Sequence, residues 1–219
     1  NAISGLNLGG GKAVIIGDSS TGKSPDLFRK FGSFIDGLNG SYITAEDVGI
    51  SPEDMIYVAE KTKHVTGLPG KMGDPSPVTA YGVYMGMKAA ANFQYGNDNL
   101  SGKKIAVQGV GHVGEYLIEY LTKEGADLVI TNINKSLLKR VAEKYSCKVV
   151  NPNDIYDVDM DIYAPCALGA TINDETIEKL KCSVVAGAAN NQLKDETIHG
   201  NELMNRGVVY APDYLINAG

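Results

Sequence analysis

The sequence predicts an α/β fold, with a doubly wound parallel sheet in its second half. Three observations predict it. Short β-branched runs alternate with segments of helical periodicity, a glycine-rich turn joins one such run directly to a helix, and a Gly/Pro-rich stretch divides the chain in two. Strands that alternate with helices return to the sheet in the same direction each time, which makes their neighbours parallel. At 219 residues the chain can bury one large core or two modest ones.

In chain order, the runs at 12–17 (KAVIIG), 41–47 (SYITAED), 103–109 (KKIAVQG), 127–133 (DLVITNI), 161–167 (DIYAPCA), 182–189 (CSVVAGAA) and 207–212 (GVVYAP) read as strands. A helix is expected over 25–38, where Leu27, Phe28, Phe31, Ile35 and Leu38 recur at core-facing spacing. Ser24-Pro25, Ser51-Pro52 and Ser76-Pro77 each precede helical sequence, the pattern of an N-cap serine with proline in the first turn. Met85, Met87 and Val83 share a helix and are expected to pack in the core. The stretch TGLPGKMGDPS reads as the hinge, giving domains over 1–81 and 82–219.

Composition narrows the function classes. A net charge of −6 with no basic stripe argues against nucleic acid, and no apolar run approaches the ~20 residues that span a membrane. Cys147, Cys166 and Cys182 follow no metal-ligand or redox spacing, which suits structural thiols in a reducing cytoplasm. His112 has no ligand partner at metal spacing, and His64 and His199 read as surface or helix-end residues. The expected partner is a small molecule.

Two glycine motifs compete. Gly17, Gly22, Lys23 and Ser24 match the spacing of a phosphate-binding P-loop over 17–24. Pro25 has no N–H to offer a phosphate, however, and Ser24 is wanted as a helix cap, so the match reads as coincidence. Gly109, Gly111 and Gly114 stand as G-x-G-x-x-G between a strand and an amphipathic helix that leads to a second strand, a complete βαβ unit. Gly109 would permit the tight turn, Gly111 the approach of a pyrophosphate, and Gly114 close packing of helix on strand. The fold expected for the second half is therefore a Rossmann-type dinucleotide-binding domain, with Val110, His112 and Val113 lining the turn. Asn132 stands where an acidic residue would grip the adenosine ribose, which weakens the choice between NAD and NADP.

In the first half, Lys12 follows three glycines and precedes a β-branched run, and Asp47 ends another. A lysine so placed can be desolvated to serve as a base, with the carboxylate as its proton-transfer partner. A solvated Lys12 and a turn-capping Asp47 fit the spacing equally well.

The segments GLNLGGGKAVIIGD, YITAEDVG, GDPSPVTAYGVYMGMKAAA, IAVQGVGHVG, DIYAPCALGATINDETIEKLKC, VVAGAANNQL and VYAPDYLINAG, in this order, resemble the glutamate/leucine/phenylalanine/valine dehydrogenase family over essentially the whole chain. The resemblance implies an α/β substrate domain facing the Rossmann domain. It also implies NAD-dependent oxidative deamination of an amino acid, here a branched-chain one, to its 2-oxo acid and ammonia. Phenylalanine or valine preference and a catalytically silent, dinucleotide-binding piece are the alternatives. By resemblance Lys12 activates the attacking water and Asp47 shuttles a proton to and from the amino nitrogen. Gly9 and Gly10 line the substrate and Ala45 its side-chain pocket. Thr79 and Asn190 lie near nicotinamide and substrate, with Asn191 the other candidate for the latter position, and Ala167 lies where backbone passes the cofactor. The family implies a homo-oligomer, a further lysine just before Asn1 and helices after Gly219. The chain, which opens without methionine, thus reads as the central part of a longer enzyme with an incomplete substrate domain.

Overall fold

The structure, a computed structural model, describes residues 5–47, 49–68 and 74–218. Contacts divide the chain into two compact units, Asn1–Pro75 and Ser76–Gly219. The division falls six residues before the expected 81, because the helix that begins at Ser76 packs along its whole length on the second unit.

The first unit is built on two helices, α1 (Pro25–Asp36) and α2 (Pro52–Ala59). Ser24 caps α1, its hydroxyl accepting the Leu27 N–H at 3.2 Å, and Ser51 forms a reciprocal capping box with Asp54. Buried Phe28, Met55 and Val58 join the two helices, with Phe31, Ile50, Val65 and Leu68 packed around them. Helix α1 stops at Asp36, so Leu38 lies beyond it and is exposed. Neither expected strand of this unit forms. The run 12–17 has no strand assignment and Ile16 is 98% exposed, while 41–47 contributes only an isolated parallel bridge between Thr44 and Val65. A β-branched run becomes a strand only in a ladder, and none of the described residues pairs with 12–17.

The second unit begins with α3 (Ser76–Tyr95), its helix including the serine itself, and continues as β1 (Lys104–Gln108), α4 (His112–Glu124), β2 (Asp127–Thr131), α5 (Lys135–Tyr145) and β3 (Lys148–Val149). After a 3-10 turn at Ile155–Asp157 come β4 (Ile162–Pro165), β5 (Val184–Val185), α6 (Glu196–Asn205), β6 (Val209–Tyr210) and α7 (Asp213–Ile216). All six strands are parallel in the order β3-β2-β1-β4-β5-β6, the doubly wound arrangement of dinucleotide-binding domains. Alternate side chains feed two cores. Ile105, Val107, Ile162, Ala164 and Val184 face the layer of α3, α4 and α5, while Ala106, Tyr163 and Val185 face the opposite layer with Ile155, Leu180 and Leu203.

Helix α3 is tied to α4 by a compact polar cluster. Glu124 accepts from Lys88 at 2.8 Å, from the Leu100 N–H at 3.1 Å and from the Tyr84 hydroxyl, and Tyr84 stacks on Tyr120. Val83 and Met87 are fully buried on α3, but Met85 is 46% exposed, because two residues along a helix turn a side chain to the opposite face. Among the described residues no helix is long and apolar enough to cross a membrane.

Candidate active site

The second unit assembles its site at the carboxyl ends of the strands, where the sheet order reverses between β1 and β4. Val110 is fully buried and anchors the loop after β1 in the core. Gly109 donates its N–H to the Thr131 carbonyl at the end of β2, 2.9 Å away, and has φ +102°, a region that L side chains rarely enter. A Cβ at Gly109 would stand 2.8 Å from the Cys166 and Ala167 backbone, and one at Gly114 would stand 2.2 Å from the Gly109 carbonyl oxygen. Gly111 differs from both: a Cβ there would meet nothing within 4 Å. Two of the three glycines are required by the chain's own packing, and the third keeps an open surface at the start of α4.

That surface is suited to an anion. Helices α1, α2, α5 and α6 each begin on a side-chain cap, from Ser24, Ser51, Asn134 and Asp195. Helix α4 begins on Gly111, which has no side chain to offer, and the next residue, His112, is exposed, with Val113 half-buried behind it. The uncapped N–H groups and the positive end of the helix dipole fit a pyrophosphate.

Asn132 follows β2 directly and is half-buried, its side-chain oxygen accepting the Ile133 N–H at 3.0 Å. The loop after β4 links the glycine turn to the loop after β5. Cys166 N–H donates to the Gln108 carbonyl at 2.7 Å, Ala167 and Leu168 are exposed, and Ala170 N–H donates to the Asn191 carbonyl at 2.7 Å. Asn190 is exposed beside it, and a Cβ at Gly169 would stand 2.5 Å from the Asn190 carbonyl oxygen. Thr79, in the first turn of α3, is half-buried. The spacing did not single out Cys166, whose Cβ would lie 3.6 Å from one on Gly114; burial pushes its thiol up to about 12, so it is a neutral packing group. Nor did it single out Asn217, although the family-like ending YLINAG contains it.

In the first unit the fold brings Lys12 and Asp47 together as an ion pair across 35 residues of sequence. Gly9, Gly10 and Ala45 are exposed on the same two segments, and a Cβ at Gly9 or Gly10 would meet nothing within 4 Å. The Lys12 side chain is 66% exposed, so within this unit it stands as the solvated alternative describes. The P-loop alternative has its groups committed elsewhere. Lys23 is ion-paired with Asp54 at 2.6 Å, Ser24 caps α1, and Asp18 organises the turn by accepting from Ser20 and from Gly22 N–H. His199, expected as a surface or helix-end residue, lies at the start of α6 but is only 2% exposed, held between the Asp195 backbone and Asp174. Among the described residues no group of His, Cys, Asp and Glu could hold a metal.

Comparison with known proteins agrees with this architecture. Residues 1–64 match the model of the Glu/Leu/Phe/Val dehydrogenase dimerisation domain, and residues 70–133 and 128–219 match that of Glutamate/Leucine/Phenylalanine/Valine dehydrogenase. The chain is 60% identical over its whole length to leucine dehydrogenases of Bacillus subtilis and of Thermoactinomyces intermedius, and spans 61% and 60% of their lengths. It superposes on the crystal structure of L-tryptophan dehydrogenase from Nostoc punctiforme with a TM-score of 0.75 at 41% identity, covering 90% of this chain and 57% of that one. Two family models matched in order, and a parallel sheet whose glycine turn is built as the motif requires, lead to one conclusion: the chain belongs to the Glutamate/Leucine/Phenylalanine/Valine dehydrogenase family.

Proposed function

We propose that the protein carrying this chain catalyses the NAD-dependent oxidative deamination of a branched-chain L-amino acid, such as leucine, valine or isoleucine, to the 2-oxo acid and ammonia. The observation that carries the reading is the 60% identity to leucine dehydrogenases across every residue of the chain, against 41% to the L-tryptophan dehydrogenase. The unit Asn1–Pro75 is the substrate domain and Ser76–Gly219 the dinucleotide-binding domain. The match of residues 1–64 to a dimerisation model supports a homo-oligomer. We place the enzyme in the cytoplasm, in keeping with its three free cysteines.

NAD, when bound, supplies the hydride acceptor for the substrate α-carbon. The backbone from Gly109 to Gly114 would hold the pyrophosphate at the start of α4, with buried Val110 anchoring the turn and His112 and Val113 offering their N–H groups. Asn132 meets the adenosine ribose, and Thr79, Ala167 and Asn190 border the nicotinamide. Gly9, Gly10, Ala45 and Asn190 contact the amino acid. Lys12, paired with Asp47 as the ammonium, would pass a proton from Nζ to Oδ2 of that carboxylate and then, as the neutral amine, act as general base toward the attacking water, while Asp47 would carry protons to and from the amino nitrogen. NAD is the preferred cofactor because no arginine stands beside Asn132 to clamp a 2′-phosphate.

The test is Lys12→Ala in the complete protein, followed by NADH formation from leucine and by NAD titration. Turnover falls by at least ~10³-fold while NAD affinity is retained, since base and glycine turn belong to different units. Near-normal turnover would remove Lys12 from the mechanism, and faster turnover of phenylalanine than of leucine would overturn the substrate assignment.

A further inference from the structure

The loop after β5 is fastened by one side chain of its own and by one from beyond α7. Gln192 donates from Nε2 to the carbonyls of Gly187 and Ala189, at 2.8 and 2.9 Å. Asn217, just past α7, donates from Nδ2 to the Ala188 carbonyl at 3.0 Å and to the Asn190 side-chain Oδ1 at 2.7 Å. The second pair of bonds contains more information than a contact. A backbone carbonyl can only accept, so the end of the Asn217 amide that faces Ala188 must be its NH₂. That same NH₂ faces Asn190, so the Asn190 amide must turn its oxygen inward. Its own NH₂ is thereby on the side away from Asn217, and Asn190 is exposed. An unrestrained asparagine would present oxygen or nitrogen to a ligand; this one is preset to donate.

We infer that Asn217 is a positioning residue that orients Asn190 as a hydrogen-bond donor toward an acceptor oxygen of the ligand, either the carboxylate of the amino acid or the carboxamide oxygen of the nicotinamide. The inference rests on the reading of Asn190 as a site residue and adds the reason its amide has one orientation. It also explains why the atoms of the pair run in this order: a carboxylate in place of Asn217 could not donate to Ala188 and would draw the Asn190 NH₂ inward, leaving an oxygen where a donor is required.

The experiment is a double-mutant cycle on the complete protein, read as kcat/KM for leucine deamination, as KM for leucine and as Kd for NAD. Asn217→Ala leaves Asn190 free to rotate into the donating state and lowers kcat/KM by about 2- to 5-fold. Asn217→Asp inverts the amide and lowers it roughly 10- to 100-fold, the range expected when a hydrogen bond to a charged group is lost. A rise confined to KM for leucine identifies the substrate carboxylate as the acceptor, and a rise in Kd for NAD identifies the carboxamide. In an Asn190→Ala background Asn217→Asp has no further effect, because its influence passes through that amide. Additive effects of Asn190→Ala and Asn217→Asp, or equal effects of Ala and Asp at 217, would overturn the positioning role while leaving Asn190 in the site. An Asn190→Ala variant with unchanged kinetics would overturn the reading of Asn190 and the inference with it.

Discussion

The three glycines of the turn after β1 separate into two that the chain's own packing requires and one that it leaves open. Replacing Gly114 with alanine sets a methyl group 2.2 Å from the Gly109 carbonyl oxygen and 3.1 Å from its carbon. The first distance is about 1 Å short of van der Waals contact. The obstacle is backbone, so no rotamer relieves it and the turn itself must shift. Alanine gains about 1 kcal/mol over glycine in helix propensity, but forced overpacking costs about 1–3 kcal/mol, and displacement of a turn fixed by the Gly109 to Thr131 hydrogen bond belongs at the upper end. The net effect is a fall in Tm of a few degrees, at about 2–4 °C per kcal/mol for a domain of this size. Gly111→Ala is the contrasting change. Its φ of −66° and ψ of −166° are open to alanine, and the added methyl meets nothing, so stability changes by no more than about 0.5 kcal/mol. If a pyrophosphate occupies that open surface, the methyl takes its place and Kd for NAD rises about tenfold or more. Thermal denaturation without ligand and calorimetric titration with NAD measure the two quantities separately. Wild-type NAD affinity in Gly111→Ala, or a fall in Tm matching that of Gly114→Ala, would refute the division of roles.

Two further outcomes are expected. Glu124 is pushed toward a higher pKa by burial, but its bonds from Lys88, Tyr84 and the Leu100 N–H outweigh this and hold the carboxyl below its ordinary value of 4.5. Its stabilising contribution is therefore complete above that value and lost as pH falls through the lower, folded-state value. Glu124→Gln costs about 1–3 kcal/mol at neutral pH and flattens the loss of Tm below about pH 4, as thermal melts across pH will register; an unchanged acid limb would exclude this cluster as its source. Asn132→Asp raises the ratio of kcat/KM for NAD to that for NADP, chiefly by repelling the 2′-phosphate, and an unchanged ratio would show that position 132 does not face the ribose.

The second unit was legible in the sequence because its signals are local. Five of its six strands are β-branched or apolar runs bounded by turns, whereas β3, the exposed pair Lys148–Val149, carries no such signal and lies outside every expected run; Gly109, Gly111 and Gly114 report a backbone requirement at the residue where it arises. The same reasoning misjudged 12–17, which carries the β-branched run Val14-Ile15-Ile16 and yet forms no strand. Composition states that a segment tolerates the extended conformation; only a partner, specified by some other stretch of chain, turns it into a ladder. Met85 shows the limit at finer scale, since a helix was correctly expected there and the side of it that faces the core was not.

Side-chain orientation in the candidate site was less legible still, for a reason that follows from the fold. Lys12 meets Asp47 across 35 residues, and Asn217 meets Asn190 across 27. No periodicity connects such pairs, because the distance between them is set by the path of the whole unit. Nor does residue type fix what they present. Asparagine carries a donor and an acceptor of nearly equal shape, and which one faces outward is decided by the first neighbour in the network that has no choice, here the Ala188 carbonyl. An asparagine beside a ligand is therefore half of a statement in the sequence, and the other half is written by a residue 27 positions away.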